Sequence, residues 1–165
     1  MLHYSVRRMK INILVGTMTG TAQMCAQEME LALDGDEVRV ATLLMDKLDP
    51  GVFADREAAY LICTSTYGQG DVPDNAKALY GALCSRKPDL AGVRYGVFGL
   101  GDRTYAETYN FGGKRFDDIL QTLGAERIGE RYTHDASSGT LPEEIALEWA
   151  QSWVEKVRER LAQTA

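Results

Sequence analysis

The sequence predicts an α/β domain in three layers, a five-stranded parallel sheet sandwiched between helices. Three observations carry this. Strand and helix signals alternate almost strictly along the chain, which in one domain gives parallel strands joined by crossover helices. Two strand signals, residues 11–15 and 58–64, are apolar runs of the kind covered on both faces. The first of them runs into Gly16-Thr17-Met18-Thr19-Gly20-Thr21-Ala22 and then into helical periodicity, so a ligand loop follows the first strand. In an open sheet of order 2-1-3-4-5 the ligand crevice lies at the carboxyl ends where the order reverses, between strands 1 and 3.

The elements follow in order. Residues 11–15 are apolar apart from Asn12, and across 20–33 Cys25, Met29, Ala32 and Leu33 recur at helical spacing. Asp34-Gly35 then suits a helix stop. Residues 37–42 alternate Val38, Val40 and Thr42 with charged or small partners, the pattern of a half-exposed edge strand. The link over 43–57 contains Asp49-Pro50-Gly51 and is given at most one helical turn. The run 58–64 ends in Ser65-Thr66-Tyr67-Gly68-Gln69-Gly70-Asp71, and Asp74 is placed as the N-cap of a helix reaching Ser85. The strand over 93–100 ends in Gly99-Leu100-Gly101-Asp102-Arg103-Thr104-Tyr105. A helix over 110–123 stops at Gly124, and 126–131 is a last short strand. Pro142, a good first helical residue, opens a long helix whose Ile145, Trp149, Trp153, Val157 and Leu161 form one apolar stripe.

A chain of 165 residues suits one domain with a full core. Residues 1–9 are set aside as an N-terminal extension or leader, and the domain is placed at 10–163. No apolar run approaches the ~20 residues of a membrane span, and the first ten residues lack the apolar centre of a secretory signal. A cytoplasmic location is expected. The net charge of −6 argues against nucleic acid, which demands a basic footprint. Cys25, Cys63 and Cys84 are widely spaced without a C-x-x-C pair and read as buried packing thiols. His3 and His134 are too few and too far apart for a metal site or a triad.

The chemistry lies in the three loops. The first presents backbone N–H groups, threonine hydroxyls and the positive end of a helix dipole to one point, a phosphate cradle. It is not a Walker loop, because Gly20-Thr21-Ala22 stands where Gly-Lys-Ser/Thr is needed. A dinucleotide fingerprint would need a third glycine where Gln23 sits. The second and third loops each carry a tyrosine near glycines, Tyr67 and Tyr105. Glycine admits close backbone approach, and two aromatic rings on two loops suit both faces of one flat ligand.

Taken together, Thr17-Met18-Thr19-Gly20-Thr21-Ala22, Ser65-Thr66-Tyr67-Gly68-Gln69-Gly70-Asp71 with Asp74-Asn75-Ala76, and Phe98-Gly99-Leu100-Gly101-Asp102-Arg103-Thr104-Tyr105 resemble the three flavin loops of the flavodoxin superfamily. The similarity runs from residue 10 to about 160. It is greatest to short-chain, MioC-like flavodoxins and to the FMN-binding module of diflavin reductases. The resemblance implies a flavodoxin-like fold, a three-layer sandwich with sheet order 2-1-3-4-5, with FMN as cofactor. It implies that Thr17, Met18, Thr19, Gly20, Thr21 and Ala22 hold the FMN phosphate and that Tyr67 and Tyr105 stack on the ring. Ser65, Thr66, Gly68, Gly70, Leu100, Gly101 and Asp102 would line the ring's polar edge, and Asp135 resembles an acidic position close to the flavin. Asp102 stands where the diflavin modules usually carry asparagine, and the longer spacing from Tyr105 to Lys114 leaves Asn110 unassigned.

The resemblance further implies an electron carrier and not an enzyme, since no nucleophile–base pair, metal cluster or nicotinamide site is found. An NAD(P)H-dependent flavodoxin/ferredoxin reductase would reduce it and an acceptor enzyme would oxidise it. Asp71, Asp74, Asp102, Glu107 and Asp135 would form an acidic docking rim on a monomer, although for each alone a solvated surface is the simpler reading. The alternative is an FMN-dependent quinone or azo reductase, which needs a substrate pocket that Tyr67 and Tyr105 would obstruct. A receiver-type signalling domain is discounted, because Thr17 and Met18 stand where it needs an acidic pair.

Overall fold

The computed structural model describes residues 8–17, 20–66, 70–102 and 110–163. Within them the strands are β1 (Met9–Gly16), β2 (Val38–Leu44), β3 (Ala59–Thr64), β4 (Arg94–Gly101), β5 (Glu126–Arg127) and β6 (Tyr132–Asp135). Their order is β2-β1-β3-β4-β5, with β6 also pairing β4, and every pairing is parallel. The helices are α1 (Thr21–Leu33), α2 (Lys77–Arg86), α3 (Phe111–Thr122) and α4 (Pro142–Gln163).

The two-residue period of the strands separates two cores. Ile11, Ile13 and Val15 of β1, Leu61 and Cys63 of β3, and Phe98 and Leu100 of β4 face Cys25 and Met29 of α1 and Trp153 and Val157 of α4. Leu14, Tyr60, Ile62 and Val97 face the other way, onto Leu79 and Leu83 of α2 and Phe116 and Leu120 of α3. All six residues of β3 are buried, which is why the sequence reads there as an unbroken apolar run. The α4 stripe docks as its spacing suggests, with Trp153 and Val157 buried and Ile145, Trp149 and Leu161 packed partly buried against the same core. Gly96 makes room for it: a Cβ there would lie within van der Waals overlap of the Trp153 indole, whose Nε1 donates to the Ile128 carbonyl at 3.1 Å.

The structure departs from the sequence reading in four places. The link after β2 holds two 3-10 turns, Met45–Lys47 and Pro50–Phe53, where at most one was expected. The Asp49 carboxylate starts the second by accepting the Gly51 N–H at 2.7 Å. Asp74 does not act as a side-chain N-cap. It lies inside a 3-10 turn, Asp74–Ala76, that leads into α2, and pairs with Lys77 at 2.8 Å. Of the last strand expected over 126–131 only Glu126–Arg127 forms, as β5; Gly129 takes a left-handed φ of 73° and the chain leaves the sheet, to return beyond that range as β6 at Tyr132. Of the three cysteines, Cys25 and Cys63 are buried but Cys84 is half-exposed. Burial pushes the Cys25 thiol up to about 12, as befits a packing residue.

Candidate functional site

The parallel register lines up the carboxyl ends of the central strands. Gly16 of β1 pairs with Thr64 of β3, Thr64 with Gly99 of β4, and Gly101 with Asp135 of β6. At about 4.8 Å per strand the row from Gly16 to Gly99 is about 10 Å long, the scale of a fused three-ring ligand.

The first loop is fastened to the start of α2. Thr17 N–H donates to Asn75 Oδ1 at 2.8 Å, and Asn75 Nδ2 donates to the Val15 carbonyl at 3.1 Å. Thr17 Oγ1 in turn accepts the Gly20 N–H at 2.9 Å. Gly20 precedes α1 with φ 92°, a conformation that favours glycine. The N-cap of α1 is a glycine without a capping side chain and no carboxylate stands in the first turn, while among the described residues no atom beyond the chain neighbours lies within 4 Å of where a Cβ on Gly20 would be. A helix start without a capping side chain or acid suits an anion. Thr21 is half-buried beside Gly20, whereas Ala22 turns its methyl into the core, so only its backbone faces the cradle. Met18 and Thr19 lie outside the described residues.

The second loop leaves β3 through Ser65, whose N–H donates to the Gly16 carbonyl at 2.9 Å. Thr66 Oγ1 accepts the Gly112 N–H at 3.0 Å. Gly70 is buried with φ 96° and sits under the Phe111 ring, where a Cβ would come within 2.8 Å of Cδ2. Its carbonyl accepts from Arg115 Nε at 2.7 Å. Asn75, Gly112 and Arg115 thus support the loops, and the sequence reading assigned none of them a role. The adjacent glycines 112 and 113, unfavourable in a helix, were the signal for Gly112. Tyr67 and Gly68 lie outside the described residues, as do Tyr105 and Glu107.

At the end of β4, Gly99 and Gly101 have a structural explanation of their own. Both seat Asn110: a Cβ on Gly99 would approach Asn110 Oδ1 to 2.6 Å, and one on Gly101 would approach its backbone N to 2.9 Å. Asn110 is buried, precedes α3 with φ 57°, and donates from Nδ2 to the His134 carbonyl at 3.2 Å. It thereby ties the end of the third loop to β6. Its Oδ1 is buried and has no hydrogen-bond partner among the described residues. Leu100 points into the α1/α4 core, leaving only its backbone for a ligand, and Asp102 is half-exposed. Asp135 ends β6, its Oδ1 accepting from Ser137 N–H at 2.9 Å and Oγ at 2.7 Å.

A phosphate-ready helix start and two further loops thus meet at the carboxyl ends of β1, β3 and β4. The family model described as Flavodoxin matches residues 13–149. The chain belongs to the flavodoxin family. It is 38% identical over 150 residues to Flavodoxin YqcA of Pectobacterium carotovorum subsp. carotovorum, covering 90% of this chain and 97% of that one. Protein MioC of Escherichia coli (strain K12) is 32% identical over 146 residues, covering 87% and 95%. The sulfite reductase [NADPH] flavoprotein alpha-component of Vibrio cholerae is 34% identical over 158 residues, covering 94% of this chain but 25% of that protein. Among solved structures, a cysteine-to-alanine mutant of flavodoxin from Pseudomonas aeruginosa superposes with a TM-score of 0.80 at 30% identity, covering 91% and 99%.

Flavodoxins bind FMN and transfer electrons, and are not enzymes in their own right. The 2-1-3-4-5 order with FMN at the β1/β3 switch point is the known arrangement of this fold, and the donor set around Gly20 fits the FMN phosphate. No described helix of this flavodoxin is long and apolar enough to cross a membrane.

Proposed function

We propose that this flavodoxin is a cytoplasmic, monomeric carrier that takes electrons from an NAD(P)H-dependent flavodoxin/ferredoxin reductase and passes them to an acceptor enzyme. The observation that carries the site is the start of α1, with glycine at its N-cap and no acidic side chain in its first turn. Thr17, Met18, Thr19, Gly20, Thr21 and Ala22 hold the phosphate, Tyr67 and Tyr105 stack on the ring, and Ser65, Thr66, Gly68, Gly70, Leu100, Gly101 and Asp102 line its polar edge. Asp135 ends the strand beside Gly101 and sits at the flavin's periphery. Bound FMN supplies one- and two-electron chemistry, and the chain supplies position and electrostatics.

No Lys or Arg stands in the first loop, so N–H groups, hydroxyls and the helix start carry the whole of the phosphate's charge of about −1.5 to −2. Thr19→Ala is expected to weaken FMN binding by about 1.5–3 kcal/mol, as for hydrogen bonds to a charged group, and to affect riboflavin, which lacks the phosphate, far less. Fluorescence titration of both ligands tests this. Equal weakening of the two would remove the phosphate assignment, and a parent protein that takes up neither would remove the flavin reading.

Docking follows from charge. Asp71 and Asp74 are exposed and Asp102 and Asp135 half-exposed, on or beside the loops that would surround the ring edge. Such a field steers a basic partner face and raises the association rate. Asp71→Asn with Asp102→Asn is expected to slow reduction by the reductase at low ionic strength, with the difference from the parent shrinking as salt screens over about 10 Å at 0.1 M. Stopped-flow mixing at matched flavin content reads it. A rate indifferent to both salt and substitution would leave the acidic rim a solvated surface.

A further inference from the structure

We propose that Arg115 is a positioning residue of the flavin site, fixing the Gly70 end of the second loop against α3. This rests on the flavin assignment of that loop. Residues 67–69 are flanked by two anchors on the first turns of α3: Gly112 N–H donates to Thr66 Oγ1 at 3.0 Å on one side, and Arg115 Nε donates to the Gly70 carbonyl at 2.7 Å on the other. Phe111, one residue ahead of Gly112, covers Gly70 from above. The loop leaves the sheet at Thr64, yet beyond Ser65 both of its flanks are referenced to the helix.

The two anchors differ in kind. Gly112 contributes a backbone donor, set by the close approach of helix and loop, whereas the Gly70 anchor is a side chain. Gly70 has a left-handed φ of 96°, so its peptide has a wide conformational range, and the guanidinium selects one orientation of its carbonyl. The bond is charge-assisted, short and half-buried. The Tyr80 hydroxyl of α2 lies near the Arg115 side chain. The planar fork of the guanidinium fixes the direction in which Nε addresses Gly70, which an ammonium does not reproduce.

Geometry and charge can be separated by substitution. Arg115→Met keeps an apolar stem and removes the donor, and Arg115→Lys keeps the charge without the fork. With a ring contact loosened and the phosphate cradle intact, Arg115→Met is expected to weaken FMN and riboflavin alike, by about tenfold. Their affinity ratio stays that of the parent, and Arg115→Lys recovers at most part of the loss. In the cofactor-free protein the Asp71 amide is expected to exchange with solvent deuterium faster in Arg115→Met, by a comparable factor, while amides in β3 stay protected. If Arg115→Met binds both flavins as the parent does, or the Asp71 exchange rate is unchanged, Arg115 is a packing residue of α3 and the proposal falls. Should Arg115→Met fail to fold, Arg115→Lys decides by the same two readouts. A parent that binds neither flavin removes the site assignment instead, and the exchange measurement still tests the hold on Gly70.

Discussion

Asp117→Ala is expected to lower the unfolding free energy by about 3–5 kcal/mol, the cost of removing one partner from a buried ionic cluster. Asp117 is 2% exposed on the inner side of α3. Its Oδ2 meets Arg127 at 2.5 Å and Arg131 at 3.1 Å, and its Oδ1 accepts from the Tyr95 hydroxyl at 2.6 Å. Truncation takes the carboxylate from two guanidiniums at once and leaves the Tyr95 hydroxyl with the Asp117 backbone carbonyl, 3.1 Å away. Both guanidiniums are partly exposed, 29% and 26%, so water relieves some of the loss and the lower half of the range is favoured. The cluster pins the chain between β5 and β6 to α3, so the damage concentrates there. Asp117→Asn keeps an acceptor for Tyr95 and is expected to cost less. Denaturant unfolding of the three proteins checks the order. A second readout follows from Tyr95, whose phenol is pushed above its ordinary value of 10.0 by burial and then by its bond to Asp117. A folded pKa raised in this way contributes stability that is complete below about pH 10 and is lost as pH rises beyond it. Part of that alkaline loss should be absent in Asp117→Ala, where phenolate absorbance should appear at lower pH.

That cluster was not legible in the sequence, and the reason is specific. Asp117 and Asp118 stand side by side on an amphipathic helix, yet Asp118 is an exposed partner of Lys114 at 2.6 Å while Asp117 is buried. One helical step of about 100° separates core from solvent, and charge type carries no mark of it. Residues 11–15 and 58–64 were legible because central parallel strands are covered on both faces and their burial is written in composition. The strand over 126–131 was not, because its early end depends on Gly129 turning left-handed, which any loop glycine can do. In the site, the phosphate cradle could be read because it is contiguous: hydroxyls, glycine and helix start lie within seven residues. Its support could not. Asn75 reaches Thr17 across 58 positions and Gly112 reaches Thr66 across 46, contacts that exist only once β1, β3 and α3 are side by side. The glycines at 99 and 101 carried a double meaning, since the freedom that suits a flat ligand also seats Asn110.

Gly112→Ala is expected to weaken FMN and riboflavin binding together by about 1–3 kcal/mol, roughly five- to 150-fold, while leaving the unfolding transition of the cofactor-free protein nearly in place. The added methyl would overlap the Ser65 carbonyl oxygen and lie 3.1 Å from its carbon and 3.2 Å from the Thr66 Cα. All three are backbone atoms, so no side chain can swing aside. Either α3 retreats or the second loop does. The helix is held from behind by Phe116 and Leu120 in the core, whereas Ser65 and Thr66 are half-exposed at a strand end, so the loop is the part that yields. In the cofactor-free protein that displacement costs little, because few buried contacts are lost. Flavin binding requires the loop to return to its place against the helix and so imposes the overlap again, which places the cost on affinity. The phosphate cradle is remote from Ser65 in sequence and fastened separately through Asn75, so the ratio of FMN to riboflavin affinity should stay at the parent's value. Thermal unfolding of the cofactor-free variant and titration with both ligands separate the two costs. A variant that loses stability without flavin by as much as it loses affinity would show that the close approach of Gly112 serves the core and not the second loop.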